Sequence, residues 1–414
     1  MIPKSIGVVI ALVLLSMITY ADRTAISTAK DAVAEELMLS DRAMGFVFSV
    51  FALGYAFAQI PAGILVDKYG PHLILGGAVG IWSLLTLLAG AAWSFASLLT
   101  FLFLFGVGEA AVFPGSARAI CNWLAPGQRG RANGALFAGS RVGAALSYPL
   151  LAWMITIWSW RNAFVILAIV GLLWAAVWML CFGDFPAKDR SFSVEQARLE
   201  RETAPPIDLT LLRLVPAMVQ YFASNFTNFI GLSWMLPFLK GQYHLSSADA
   251  ALDSMIPLLF GATSQGVSGW VVDRMFSSAL RKWSRRIPAM IGFMLSAAGL
   301  IVVMHAHSAV VAVFGFALAV FGADMTICPS WVFCVDIAGK HTGRITGAMN
   351  TFGSIGAFVS ANAFPFLNKR LGNSSAYFLL AAVLDIVALI CWIRMTSVQS
   401  EEHRSGIKLE EMTL

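Results

Sequence analysis

Gly63-Ile64-Leu65-Val66-Asp67-Lys68-Tyr69-Gly70 closes one long apolar stretch, and Gly269-Trp270-Val271-Val272-Asp273-Arg274 closes another 206 positions later. Each reads as the end of a membrane helix followed by a short hydrophilic turn. The recurrence continues outward. Arg131-Ala-Asn-Gly134-Ala with Gly143-Ala is matched by Arg344-Ile-Thr-Gly347-Ala with Gly356-Ala at an offset of 213, and Glu109 with Pro114 is matched by Asp324 with Pro329 at 215. Three ordered matches at nearly equal offsets predict two similar halves.

Composition says what the halves are made of. Of 414 residues, 58% are hydrophobic and 12% charged, whereas a soluble domain carries about 25% charged residues. A water-soluble fold is excluded. Apolar runs lie at about 7–28, 43–64, 73–93, 96–117, 131–157 and 161–183, then at 213–238, 249–271, 286–305, 308–335, 343–367 and 375–396. At about 20 residues per crossing these are twelve spans, and their continuity excludes the alternating pattern of a membrane β-barrel. The expectation is an all-α integral membrane fold of two pseudo-symmetric six-helix bundles, 1–183 and 213–396. Between them, 184–212 holds Lys188, Asp189, Arg190, Glu195, Arg198, Glu200, Arg201, Glu202 and Pro205-Pro206, a solvated linker, and 397–414 forms a tail.

With both termini cytoplasmic, 20 of the 28 Lys/Arg fall on inside segments and six outside (Lys30, Arg42, Arg161, Lys240, Lys369 and Arg370). The positive-inside rule therefore gives an N-in, C-in chain, with linker and tail cytoplasmic. The net charge of +5 is distributed by side instead of gathered in a patch, so nucleic acid is not an expected partner. Cys121, Cys181, Cys328, Cys334 and Cys391 show no metal-ligand spacing, and no metal or cofactor is expected. The first apolar run reaches Asp22-Arg23 without a cleavage site and reads as a span. No GxSxG, HExxH or Walker lysine is present, so no enzyme chemistry is indicated.

The two remaining Lys/Arg, Arg23 and Arg141, fall within spans, as do Asp22, Glu109 and Asp324. Each such group costs about 2.5–3.5 kcal/mol or more to insert and normally faces a cavity. Asp22 and Arg23 are adjacent and project about 100° apart, so each needs its own partner. The Arg23 guanidinium is a planar, permanently charged fork that suits the carboxylate of an anion; the alternative is an ion pair with an acid on another span. Glu109 lies deep in span 4, where desolvation suits a group that binds and releases a proton; the alternative is a permanently neutral or paired glutamate. The uncharged Tyr20, Asn225, Asn228, Ser330 and Asn350 can hydrogen-bond either substrate hydroxyls or neighbouring helices.

These residues resemble the major facilitator superfamily, and within it the anion:cation symporter branch of sugar-acid and organic-anion transporters. Gly63-x-x-x-Asp67-Lys68-x-Gly70 carries the superfamily resemblance. The branch features are Tyr20-x-Asp22-Arg23, Gly106-x-Gly108-Glu109-Ala with Phe113-Pro114-Gly115, Trp234-x-x-Pro237-Phe-Leu, Pro257-Leu-Leu and Gly347-x-x-Asn350-x-x-Gly353. The resemblance implies a monomeric carrier of the cell inner membrane, with spans 1, 4, 7 and 10 lining the cavity. It implies a latch at Gly63, Asp67, Lys68 and Gly70, repeated at Asp273 and Arg274, and proton coupling at Glu109 and Asp22. Asp324 then becomes a second proton site or the ion partner of Arg141 or Arg23. One departure stands out: the arginine that many members carry seven residues before the glutamate is Leu102 here. Arg141 either replaces that charge, binds substrate or is structural. The expected activity is proton symport of a small organic anion, in the first instance a hexuronate or aldonate, with another mono- or dicarboxylate as the alternative. Efflux is disfavoured because span 5 reads Gly139-Ser-Arg-Val-Gly143 and lacks a Gly-Pro-Gly-Gly-like run.

Overall fold

A computed structural model describes residues 4–185, 207–233, 235–245, 247–338, 341–372 and 374–395. Among them every long element is an α-helix: α1 (Lys4–Thr28), α2 (Lys30–Glu36), α3 (Asp41–Tyr69), α4 (Pro71–Gly90), α5 (Phe95–Glu109), α6 (Val112–Trp123), α7 (Arg129–Ile157) and α8 (Trp160–Cys181). There follow α9 (Ile207–Ser233), α10 (Met235–Tyr243), α11 (Ser247–Phe276), α12 (Arg286–Met304), α13 (Ala309–Met325), α14 (Ile327–Ala338), α15 (Thr342–Leu371) and α16 (Ser375–Arg394). Taking α5 with α6, α9 with α10 and α13 with α14, the described residues make twelve spans. Nine of these cross a membrane on length and composition alone. The other three contain α7, α9 and α15, which bring polar residues such as Arg141, Asn225 and Asn350 into the membrane.

Local chemistry sets the boundaries. Ser94 caps α5 by accepting from the Ser97 N–H, and Ser308 caps α13 by accepting from the Val311 N–H, each replacing a partner the first turn lacks. Gly70, at φ 83°, turns α3 into α4, where Pro71 occupies the first position; a left-handed residue followed by proline ends one helix and starts the next at little cost. Two spans expected as single helices are broken, span 4 at Ala110–Ala111 and span 10 at Thr326. Pro114 and Pro329 have no N–H to offer the carbonyls four residues earlier, Ala110 and Met325. On span 10 the Ser268 hydroxyl donates to the freed Met325 carbonyl at 2.6 Å. Both breaks fall within two residues of a buried acid, Glu109 or Asp324.

The chain forms two compact units. Unit 1 comprises 1–124, 135–198 and 341–355; unit 2 comprises 125–134, 199–340 and 356–414. The start of α7 therefore belongs to unit 2 and the start of α15 to unit 1, an exchange the linear reading of two bundles did not include. The expected linker lies outside the described residues over 186–206, as does the tail over 396–414. Unit 2 is centred on Phe226, Phe316, Phe364, Tyr377 and Phe378, which meet largely edge to face, while Trp82 and Trp178 are fully buried in unit 1.

Candidate functional site

In unit 1, α1 and the end of α5 bring Arg23 against Glu109. The Arg23 Nε donates to Glu109 Oε1 at 2.5 Å, and Nη2 stands 2.5 Å from the same oxygen. Glu109 is fully buried, while the Arg23 side chain is 22% exposed. The guanidinium carbon lies 4.6 Å from the Tyr55 ring centre, 5.0 Å from that of Tyr20 and 5.2 Å from that of Phe51. Three ring faces around one cation compensate part of its desolvation without neutralising it. Asn350, from the part of α15 that belongs to unit 1, donates to the Tyr55 hydroxyl at 3.1 Å and to Gln59 Oε1 at 3.0 Å. Tyr20, Arg23, Glu109 and Asn350 thus converge, through Tyr55.

Asp22 has a hydrogen-bond partner of its own. Its Oδ2 accepts from the Trp82 indole at 3.1 Å, and it lines a cavity of about 210 Å³ together with Arg23, Ser27, Thr86 and Leu102. Ligand pockets usually hold on the order of 300–1,000 Å³, so this space suits water more than an organic anion. Leu102, where the related pattern has arginine, is part of its wall, and Arg23 serves as the counterion of Glu109. Arg141 sits half-buried on α7, a helix held to α1 by the Ser16 hydroxyl on the Leu136 carbonyl at 2.7 Å and by Thr24 on Ser147 at 2.7 Å.

The turn motifs cap helices. Asp67 accepts from the Gly343 N–H at 2.7 Å and the Arg344 N–H at 2.8 Å, at the start of α15. In unit 2, Asp273 accepts from the Gly130 N–H at 2.9 Å and the Arg131 N–H at 2.7 Å, at the start of α7. A carboxylate on two free N–H groups at the positive end of a helix is favourable twice over. Gly63 lies so close to the Gly343 carbonyl that a Cβ would collide with it. Lys68 and Arg274 are exposed.

Of the unit 2 candidates, Asn225 donates to the Tyr221 carbonyl of its own helix at 2.9 Å. Ser330 is engaged with Gln220 Oε1 at 3.0 Å. Asn228 and Asp324 are buried, the Asp324 carboxylate lying against Gly261 of α11. Trp331 donates to the Tyr221 hydroxyl at 2.8 Å, and Trp234 lies outside the described residues.

Sequence reasoning passed over Tyr55 and Gln59, although Tyr55, Gln59, Gly63 and Asp67 recur every four residues along one face of α3, a polar stripe with a motif at its end. It also passed over Asp385. That aspartate lies at the middle of α16 and is fully buried, a mid-span acid to be added to Asp22, Glu109 and Asp324.

The Major Facilitator Superfamily model matches residues 12–361. The hexuronate transporter of Bacillus subtilis is 30% identical over 94% of this chain and 93% of its own length. The probable sulfoacetate transporter of Cupriavidus necator is 28% identical over 95% of both, and the probable L-galactonate transporter of Escherichia coli is 29% identical over 89% of this chain and 83% of its own length. Among solved structures, the proton:xylose symporter XylE superposes with a TM-score of 0.79 at 14% identity over 95% of this chain and 96% of the other. The transporter FucP in its outward conformation superposes with a TM-score of 0.75 at 15% identity over 96% of this chain and 100% of the other.

Proposed function

Because the chain belongs to the Major Facilitator Superfamily, we propose that it takes up a small organic anion, in the first instance a sugar acid, by proton symport with alternating access across the inner membrane. The relatives named for hexuronate and L-galactonate support the substrate class. The one named for sulfoacetate extends the panel of anions to be tested.

The observation that carries the coupling is the Arg23–Glu109 pair. Arg23 is the cation for the substrate carboxylate, and in the anion-free site Glu109 occupies it. A proton on Glu109 Oε1 removes the competing charge, and the substrate carboxylate takes its place. The site is neutral in both states: guanidinium with carboxylate, then guanidinium with substrate and a neutral acid. Neutrality matters because an uncompensated charge in a low-dielectric interior costs many kcal/mol. Glu109 then brings in one proton with each monoanion, and protonation and substrate affinity reinforce one another reciprocally. Tyr20 and Asn350 present polar groups beside the guanidinium. Arg141, Asn225, Asn228 and Ser330 are the further substrate contacts of this reading, with Ser330 reached only when it leaves Gln220.

Asp22, beside the cavity shared with Arg23, is the second proton site of unit 1, and Asp324 its counterpart in unit 2. The caps at Asp67 and Asp273, with Gly63, Lys68, Gly70 and Arg274 in the same turns, act as the conformational latch, since each must release two N–H groups for its helix to part. The protein works as a monomer with no cofactor.

The test is uptake in vesicles of purified protein. Adding glucuronate, galactonate, sulfoacetate or a dicarboxylate should alkalinise a weakly buffered medium for the transported anion alone. Uptake without a pH change rejects symport, and uptake of none of these anions rejects the substrate class.

A further inference from the structure

Asp385 lies ten residues into the 20-residue helix α16, about 15 Å from its start at 1.5 Å per residue and so near the middle of a span. It is fully buried. Its Oδ2 accepts from the Ser296 hydroxyl of α12 at 2.6 Å, and its Oδ1 from the Thr227 hydroxyl of α9 at 3.2 Å. The helices packed against α16 are chiefly α9 and α12, and among the described residues they turn toward it, at this level, these two hydroxyls and no charged side chain. The titratable neighbour is Tyr377 on α16 itself, whose hydroxyl is shared with Ser360 at 2.6 Å and reaches the Phe226 carbonyl at 3.2 Å. Tyr221 of α9 is turned to Trp331, and Arg286 of α12 reaches the Met395 carbonyl.

The internal repeat shows that the architecture does not require an acid here. Ser83 and Gly171 precede Ser296 and Asp385 by 213 and 214 positions. In unit 1 the corresponding contact is made by bringing Gly171 so close to Ser83 that a Cβ on the glycine would strike the serine hydroxyl. A glycine against a serine closes that contact, whereas unit 2 places a carboxyl group there. Two hydroxyls stabilise an ionised carboxylate too little to offset removal of its water in a span. A neutral acid, donating to one hydroxyl and accepting from the other, fits the same three groups without that penalty.

We propose that Asp385 is a proton-binding site of unit 2, a positioning residue that holds α9 against α12 and α16 while protonated and releases it on losing its proton to water. Thr227 is the contact through which it acts, and the next residue, Asn228, is among the substrate contacts proposed above. The docked arrangement binds the proton more tightly than the released one. Docking is therefore favoured at low pH and weakens as pH rises through the titration of Asp385.

The first test needs no substrate and so stands apart from the transport reading. Thermal midpoints of the wild type and Asp385→Asn are measured in detergent from about pH 6 to about pH 9. Asparagine is permanently neutral and offers one donor group and one acceptor. The wild-type midpoint should fall relative to the variant as pH rises, and parallel curves overturn the proposal. Asp385→Gly, which copies unit 1, gives the same comparison if the asparagine variant does not accumulate. The second test rests on the transport reading. The apparent KM of the wild type divided by that of Asp385→Asn should climb by up to tenfold per pH unit, the slope of one proton. A ratio independent of pH, with the midpoints diverging, removes the link to substrate while leaving the proton site.

Discussion

Glu109→Gln keeps the shape of the side chain and deletes its charge, which isolates the competition for Arg23. In the wild type at alkaline pH, an incoming carboxylate must displace Glu109 from contacts at 2.5 Å that are buried on the glutamate side. Breaking a buried pair costs about 3–5 kcal/mol. Because Arg23 keeps 22% of its side chain exposed, the lower end applies. About 3 kcal/mol corresponds to roughly 150-fold in affinity. Wild-type affinity should fall as pH rises through the titration of Glu109, by up to tenfold per unit. Glu109→Gln should instead lose the part of that pH dependence that Glu109 supplies, and at the alkaline limit bind more tightly than the wild type by up to about 150-fold. Its transport should change in the opposite sense: exchange of labelled for unlabelled substrate persists, while accumulation driven by a pH gradient is lost. The assays are equilibrium binding across pH and a side-by-side comparison of counterflow and gradient-driven uptake in vesicles. Concentrative uptake by the glutamine variant, or a pH dependence of affinity equal to the wild type's, would refute the reasoning.

Asp67→Asn and Asp273→Asn each retain one acceptor but lose the charge that favours two N–H groups, about 1–2 kcal/mol. Uptake should drop roughly five- to thirtyfold by that energy with membrane insertion unchanged, and unchanged uptake would count against the latch. Leu102→Arg places a second cation beside the cavity that Asp22 and Arg23 share; it should offer Glu109 another partner and flatten the pH dependence of affinity, whereas an unaltered profile shows that the arginine does not reach the pair. The Glu36 carboxylate is held below its usual range by hydrogen bonds from the Trp160 indole and from Arg161, and by the charge of Arg161. A depressed carboxylate stabilises the fold above its unfolded pKa and stops doing so as pH falls through its folded value. Thermal midpoints of the wild type and Glu36→Gln should therefore differ at neutral pH, by about 0.5 kcal/mol for a half-exposed pair, and converge in acid; a constant gap removes the assignment.

What the sequence made legible followed the scarcity of charge. Twelve spans and their division into six and six needed only apolar run lengths, and the caps at Asp67 and Asp273 were foreshadowed by a carboxylate at the end of a span, repeated at a fixed offset. The identity of the acid facing Arg23 was not available by the same means. Arg23 and Glu109 are 86 residues apart, and their meeting depends on how α1 packs against the end of α5, which no local pattern encodes. The helix breaks were within reach, because Pro114 and Pro329 each stand four residues beyond the carbonyl they leave free. So was Asp385, a mid-span acid of the same kind as Asp22, Glu109 and Asp324.

Leu102 joins these observations. An arginine at that position would give unit 1 a second permanent cation near Glu109, so that one guanidinium could hold the glutamate while another met the substrate. With leucine there, buried and lining the small cavity, Arg23 is the cation on which the glutamate closes. Glu109 and the substrate anion then compete for a single guanidinium, and the release of one partner is the condition for binding the other. A relay of several charges can lose synchrony, leaving proton-loaded and substrate-loaded states separately populated. A single shared cation links them directly, and for that reason the pH dependence of affinity, more than the rate of transport, is the quantity in which the substitution at position 102 should be read.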